Sequence, residues 1–443
     1  MKVSHYLLQR FWSRSLCKRV ACTVSVRILS CVLLFGTTAC NMFVQSIQPP
    51  DNVVQDRALD TERYLPQLMN GVRYDFGVAY NRISLAGSLI ADEIESRDFS
   101  TGYDAEVGNY LFDFDEGKRS DFEFYGAGAY FMLLTQSRFT ADTLITRVKT
   151  RIPFGTSAAS QTLRNSALFV GFFYGAASRY LFATYFALEP TRGGSVIEPY
   201  GRFLPSSEIY AQALPLLDSA RRYATPSEQR MSFTLSARIA LFADQYGDTE
   251  RFAQSGLQQG SAPLTFPYYR IDGVSNFSTN NFNIWAHRYF QQYRVWQALV
   301  WVAKRFQDYV AQDTAERVRI PLTTVQYLTN TILVQRKYTA EDSPMNFLTW
   351  QENELMLAEC KIRRGAAAEA LAHINRVRTS YNLRPLTEAT LETIYTERDK
   401  ELFCTGLRLP DQRRFNRWHL GTGTWQYLPI PQSERDLNPN LKP

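Results

Sequence analysis

The sequence predicts an all-α fold, a helical-repeat scaffold interrupted by long irregular loops. Three observations carry this. Apolar residues recur every third or fourth position through most of the chain, as on one face of a helix. Few stretches alternate apolar and polar residues, so a large sheet is not expected. Two segments repeat a single helix–turn–helix pattern.

The first helix is expected within Thr61–Glu95, where Leu65, Leu68, Val72, Phe76, Ala79, Ile83, Leu85 and Leu89 are mostly three or four apart. Asp121–Lys149, Leu163–Leu188, Ser207–Tyr223 and Gln229–Tyr246 behave likewise. The repeated pattern covers Ser236–Gln258 and Glu352–Arg378. In each, an apolar helix carries alanine seven residues before a glycine, Ala240 before Gly247 and Ala358 before Gly365. Glycine is expected to end the helix because it takes positive φ without a Cβ clash. Small residues then let the paired helices approach. In the second copy, Ala370, Ile374, Val377 and Tyr381 share a face, next to one formed by Ala367, Leu371, Ile374 and Arg378. The pattern is similar to tetratricopeptide repeats, which stack helix pairs into a curved solenoid. Any antiparallel helical hairpin is the alternative.

Residues 1–39 read as a signal peptide. They carry Lys2, Arg10, Arg14, Lys18, Arg19 and Arg27 and no acid. The 443-residue chain has a formal net charge of +6, and these cations account for all of it. Residue 40 onward is neutral in total, so no nucleic-acid partner is expected, because such proteins keep a basic footprint in the folded part. The apolar run Ile28–Phe35 falls far short of the ~20 residues a membrane-spanning helix needs. With the small residues Gly36, Thr37, Thr38 and Ala39 after it, it reads as a secretory signal. Small residues directly before Cys40 resemble the lipobox of bacterial lipoproteins, with Thr37 in place of the usual leucine. That resemblance implies cleavage before Cys40 and its acylation, and two or more acyl chains hold a protein stably on a membrane. A plain secretory signal with an incidental cysteine is the alternative. The cationic region is long, and a start near Val24 or Val26 would shorten it. Residues 40–58, with Pro49-Pro50 and no periodicity, read as a tether. No later linker is visible, so residues 59–443 read as one helical domain.

Catalytic chemistry has little to build on. Beyond the signal the histidines are His287, His373 and His419, far apart and in no metal-binding spacing. No nucleophile elbow or phosphate-cradling glycine loop occurs. No metal or cofactor is expected. Asp113, Asp115, Glu116 and Gly117 lack the register of a calcium loop. Carboxylate pairs for glycoside hydrolysis are defined by spatial separation, and nothing singles one out. Cys360 and Cys404 sit in apolar, helix-like contexts and are expected as buried thiols; a disulfide between them is the alternative in an oxidising compartment.

Two long aperiodic segments, Asp98–Gly126 and Ser261–Asn283, are rich in aromatic residues. Loops of that length in compact domains are usually functional or disordered. The first holds Tyr103, Tyr110, Phe112 and Phe114; in or beside the second lie Tyr268, Tyr269, Phe277, Phe282 and Trp285, with Asn280, Asn281 and Asn283. Rings that stack on a sugar face and amides that bind its hydroxyls make a ligand site. Tyr103, Tyr110, Tyr269, Asn281 and Trp285 are the candidates. Packing of these rings onto the helices is the alternative.

The C-terminal third is the most distinctive. Asn375-Arg376-Val377-Arg378 follows the Ala358-Glu359 helix. Next come the string Glu397 to Arg408 (ERDKELFCTGLR), then Asp411, Arg413 and Arg414. The chain closes with Leu428-Pro429-Ile430-Pro431-Gln432-Ser433-Glu434 and Leu437-Asn438-Pro439-Asn440-Leu441. These strings resemble the RagB/SusD family of outer-membrane lipoproteins over roughly residues 350–441. Weaker similarity begins near residue 60 and includes Ala91-Asp92-Glu93. Thr405 stands where the family usually has glutamate, which puts one ion pair in doubt, and Leu409-Pro410 replaces an aromatic-rich pair. Arg398, Arg408 and Arg413 with Glu397, Glu401 and Asp411 are expected to anchor the C-terminal tail by salt bridges, with Pro429, Pro431 and Pro439 holding it extended.

The resemblance implies a nutrient-binding lipoprotein on the cell surface, in the outer membrane. It would capture glycans or peptides and act as a lid on a partner TonB-dependent transporter of the SusC type, with no covalent step. The chain looks short for the family, which implies reduced ligand-side insertions. A repeat scaffold that binds only protein partners is the main alternative, and an all-helical glycoside hydrolase the second.

Overall fold

The computed structural model describes residues 56–96, 127–266, 300–327, 330–340 and 342–441. The chain divides into two compact units, 1–60 and 61–443. The described part of the first includes a 3-10 turn, Asp56–Leu59. The second unit holds the helices described below.

Helix α1 (Leu65–Ile90) starts with Pro66 in its first turn, where a missing N–H costs nothing. Leu65, Met69 and Val72 are buried on one face, but from Phe76 to Ile90 every residue is buried. A helix buried all round runs through a core rather than over it. Asp92 ends it in the left-handed conformation, φ 55°. Glu93 N–H closes the turn on the Ser88 carbonyl at 3.0 Å. Strand β1 (Ile94–Ser96) follows.

Helix α2 (Ala127–Thr150) and helix α3 (Ala158–Tyr185) pack on α1 and on each other. Ser157 caps α3 by accepting from Ser160 N–H at 3.2 Å. α3 is the second core helix: every position from Ala167 to Tyr185 except Arg179 is buried. The Phe131 ring meets Phe182 and Phe186 edge-on, both at 5.4 Å between centroids. Three short strands follow, β2 (Phe186–Glu189), β3 (Arg192–Ser195) and β4 (Leu204–Pro205). Helix α4 (Ser206–Arg221) returns along α3.

Helices α5 (Pro226–Phe242) and α6 (Tyr246–Gln254) form the first predicted hairpin. Thr225 and Glu228 cap α5 reciprocally, side chain to backbone in both directions. Then come β5 (Leu264–Phe266), β6 (Val300–Val302), α7 (Lys304–Gln312), β7 (Leu322–Tyr327), β8 (Asn330–Gln335) and β9 (Met345–Leu348). Helices α8 (Trp350–Arg363) and α9 (Ala367–Ser380) form the second predicted hairpin. The chain continues through α10 (Leu391–Glu401), α11 (Arg408–Arg414), β10 (Leu428–Pro429) and α12 (Gln432–Leu437). The all-α repeat scaffold is therefore as expected. α8 packs on both α6 and α9, so consecutive hairpins stack.

The register between the two hairpins differs from the sequence alignment. Gly365 does terminate α8, at φ 84°. Gly247 does not terminate α5; it lies inside α6, and Asp244 at φ 56° takes that role. In each hairpin the next residue closes the same turn, Gln245 N–H to Ala240 O and Ala366 N–H to Lys361 O, both at 2.9 Å. Asp244 and Gly365 are thus equivalent, and so are Ala237 and Ala358, both 0% exposed. Aspartate tolerates the left-handed well when its side chain bonds locally. Asp244 Oδ1 accepts from the Tyr246 hydroxyl at 2.7 Å. In α9 the buried face is Ala370, Ile374 and Val377, whereas Ala367 is exposed.

Sheets are minor among the described residues. The largest has the order β10-β2-β3-β4, and the rest are pairs, β1-β6, β5-β9 and β7-β8. The C-terminal tail enters the first as β10, parallel to β2, with Leu428 opposite Phe186.

Candidate functional site: the loop roots and the C-terminal lock

Strand β1 is the last described segment before residue 97, and β6 is the first after residue 299. The two strands pair antiparallel, Ile94 with Val302 and Ser96 with Val300. The first aromatic segment therefore leaves the scaffold where the stretch containing the second rejoins it. The other root of that stretch is β5, paired with β9. Phe266, its last residue, lies among Phe76, Tyr80 and Phe347, with ring centroids 5.2, 5.9 and 5.8 Å away. Tyr80 ties α1 to β9 by donating to Asn346 O at 2.7 Å. The candidates Tyr103, Tyr110, Tyr269, Asn281 and Trp285, the Asp113–Gly117 cluster and Cys40 lie outside the described residues.

Immediately below this root sits a lattice of buried charge. Arg305, one residue into α7, places Nε 2.9 Å from Asp399 Oδ2 and Nη1 2.9 Å from Asp92 Oδ1. Arg408 reaches Asp399 at 3.4 Å. Gln412 donates to Ala91 O at 3.0 Å and to Asp92 Oδ1 at 2.8 Å. Glu93 accepts from Cys404 N–H at 2.9 Å and from the Ser88 hydroxyl. Ala91-Asp92-Glu93 and the C-terminal string, far apart in sequence, thus meet at the base of the aromatic segments. Gly406 permits the approach: its φ is 78°, and a Cβ there would lie 2.6 Å from Ser84 Cα.

Burial would raise the Asp399 carboxyl, but Arg305 and Arg408 hold it below the usual range. Burial likewise opposes Asp411, which Arg398 and Arg414 hold low, and Glu359, which Arg414 holds low. Glu93 has no such close cation, and burial pushes it up to about 7. A second lattice joins Arg319 to Glu316 at 2.6 Å and to Glu397 at 2.8 Å, with Arg378 Nη1 2.8 Å from Glu397. Lone charges such as Arg305, Glu316 and Arg319 gave no sequence signal, because in isolation they look like solvated helix faces.

Two expectations need correction. None of these charges ion-pairs with the tail among the described residues: Arg398 pairs with Asp411, and Arg413 alone reaches the segment entering β10, donating to Gln426 O as well as to Thr184 O. They join α10 and α11 to α8 and to the end of α1. The tail is held by β10 and by amides, Asn438 to Gly201 O at 2.9 Å and Asn440 to Tyr200 O at 2.6 Å. Nor is it extended throughout, since Pro431 leads into α12 and Pro439 starts a 3-10 turn. Cys360 and Cys404 are buried free thiols, as expected. Thr405 donates to Leu402 O at 2.5 Å and makes no ion pair.

No described helix is long and apolar enough to cross a membrane. No group of three or more potential metal ligands occurs among the described residues.

Comparison with known proteins places these features. No curated protein matches the chain. Among solved structures, a SusD superfamily protein from Bacteroides thetaiotaomicron has TM-score 0.66 at 17% identity, covering 86% of this chain and 99% of that one. A SusD-like carbohydrate binding protein from Bacteroides vulgatus has TM-score 0.61 at 14% identity, covering 80% and 83%. Surface glycan-binding protein A from Bacteroides thetaiotaomicron has TM-score 0.61 at 15% identity, covering 87% and 99%. The chain spans nearly the full length of two of these, so it is not short beside them. At these identities the likeness shows the fold. The sequence model of the SusD family matches residues 352–423, from α8 through α11, which supply the C-terminal side of the charged lock. That match lies inside a fold shared with SusD superfamily structures, so the chain resembles this family in its C-terminal sequence and in its fold.

Proposed function

We propose that the protein is a surface lipoprotein of the outer membrane, tethered through Cys40, that captures glycans or peptides and delivers them to a SusC-type TonB-dependent transporter. On this reading residues 1–39 are removed and 40–58 form the tether. The observation that carries the capture role is the pairing of Ser96 with Val300. It brings the start of the segment holding Tyr103 and Tyr110 beside the end of the stretch holding Tyr269, Asn281 and Trp285. Rings and amides on loops over a rigid base suit stacking on sugar faces and bonding to hydroxyls. Glycan binding in the names of two similar structures favours sugar over peptide. The buried charge beneath the root is scaffolding, so the role is binding without a covalent step.

A glycan and peptide panel tests this on purified protein. Trp285→Ala or Tyr103→Ala is expected to weaken the bound ligand by about tenfold or more, the cost of one stacking anchor. Unchanged affinity in both would remove the loops from the site. A pull-down from native membranes is expected to recover a large β-barrel, and recovery of none would end the transporter assignment. Labelled palmitate should enter the wild type and not Cys40→Ser.

A further inference from the structure

A cleft of about 240 Å³ lies where the β7–β8 hairpin, β9, α8 and α10 meet. Val318, Pro321, Phe347, Leu402 and Leu407 give it an apolar wall. Arg319, Arg336, Lys337, Glu352 and Glu401 line the rest, with Thr349 and Tyr381. Two of the charged groups are already paired within the protein: Arg319 with Glu316 and Glu397, and Glu352 with Arg238.

Three are not. Lys337 Nζ donates to Phe403 O at 2.6 Å and has no carboxylate within ion-pair reach among the described residues. Arg336 is exposed, and its guanidinium has no partner among the described residues. The Glu401 side chain is 6% exposed. Its Oε1 accepts from Tyr381 at 2.9 Å, but Oε2 accepts no hydrogen bond, and the Arg319 guanidinium is 3.9 Å away. Burial raises the Glu401 carboxyl, while Arg319 opposes the rise. The cleft thus has unused donors on two cations and one carboxylate oxygen, Glu401 Oε2, free to accept a hydroxyl. It also has an apolar wall against which a pyranose ring can lie.

We propose that this cleft binds a single carboxylate-bearing sugar residue of the uronic acid class. Lys337 and Arg336 take the carboxylate, while Glu401 and Thr349 take hydroxyls. Its volume is below the roughly 300–1,000 Å³ of pockets for drug-sized ligands, which fits one sugar ring. A neutral sugar leaves both cations unpaired, so the carboxylate is the discriminating group. None of the lining residues belongs to the aromatic segments.

Isothermal titration of the full chain with glucuronate, glucose and a glucuronate-terminated trisaccharide tests this. Glucuronate is expected to bind, with glucose at least about tenfold weaker. Lys337→Met and Arg336→Ala should each weaken glucuronate about tenfold or more, the loss of one charge-assisted hydrogen bond. Arg336 is exposed, so its variant keeps the fold and the test stands even if Lys337→Met does not fold. Tighter binding of the trisaccharide, lost in Arg336→Ala, assigns a glycan end as the source; equal affinities assign the free acid. Equal binding of glucose and glucuronate, absence of binding, or indifference to Arg336→Ala overturns the proposal.

Discussion

Helices α1 and α3 are buried among rings and aliphatic side chains, whereas α8, α10 and α11 are buried among charges. Phe76, Phe182 and Ile83 are fully buried in the first region; Arg398, Glu359 and Gln412 are equally buried in the second. Apolar burial is non-directional and tolerates repacking. A buried charge is costly unless a partner sits at one distance and angle. The same helical architecture is therefore held by two unlike means. One tolerates sequence change; the other demands particular residues in a particular order. The matched segment 352–423 lies in the second region. There the physics leaves the sequence least freedom.

The largest test of this contrast is Arg238, which joins α5 to α8 by pairing with Glu352, both side chains 1% exposed. Arg238→Met is expected to cost about 3–5 kcal/mol in urea unfolding, because Glu352 is left buried and alone. Arg238→Met combined with Glu352→Leu should recover most of that loss. A double variant as unstable as the single one would break the comparison.

Next is pH. Glu93, raised to about 7 chiefly by burial, prefers its proton in the folded state. Its stabilising contribution is complete below its unfolded value and is lost as pH rises to about 7, on the order of 3 kcal/mol in all. Glu93→Gln should flatten the stability curve over that interval. Asp399 and Asp411 act with the opposite sign: held low by their arginines, they contribute above the ordinary carboxylate range and lose that contribution on further acidification. A wild-type curve flat between pH 4.5 and 7 would remove Glu93 from this account.

Smaller effects separate the two hairpins. Gly365→Ala forces a Cβ into the left-handed well and should cost about 1–2 kcal/mol in thermal unfolding. Gly247→Ala should be neutral or stabilising, since Gly247 is helical and nothing lies within 4 Å of its Cβ position. Equal losses at both would restore the sequence register. The smallest is Ile83→Val in α1, about 0.5–1.5 kcal/mol. That loss should be the same at low and high salt, because no charge is involved.

The helices, the two hairpins and the charged C-terminal strings were all legible, because each is written in local periodicity or in contiguous residues. The hairpin register was misread because aspartate at 244 does the work glycine does at 365. Among the charges, Arg398 and Asp411 stood out by density, but Arg305, Glu316 and Arg319 did not. Their partners are remote in sequence, and a single charge on a helix is ordinarily solvated.

By itself the sequence determined the helical scaffold, where along the chain the aromatic segments lie and the C-terminal residues of the lock, Arg398 and Asp411 among them. Only the tertiary structure decided that Asp92 and Glu93 meet Asp399, Cys404 and Gln412, that the charges join helices rather than ion-pair with the tail, and that residues 96 and 300 share one sheet. The reason is physical. Periodicity reports which face of an element is buried, but the partner on that face is chosen by long-range packing, in which distances along the chain carry no weight.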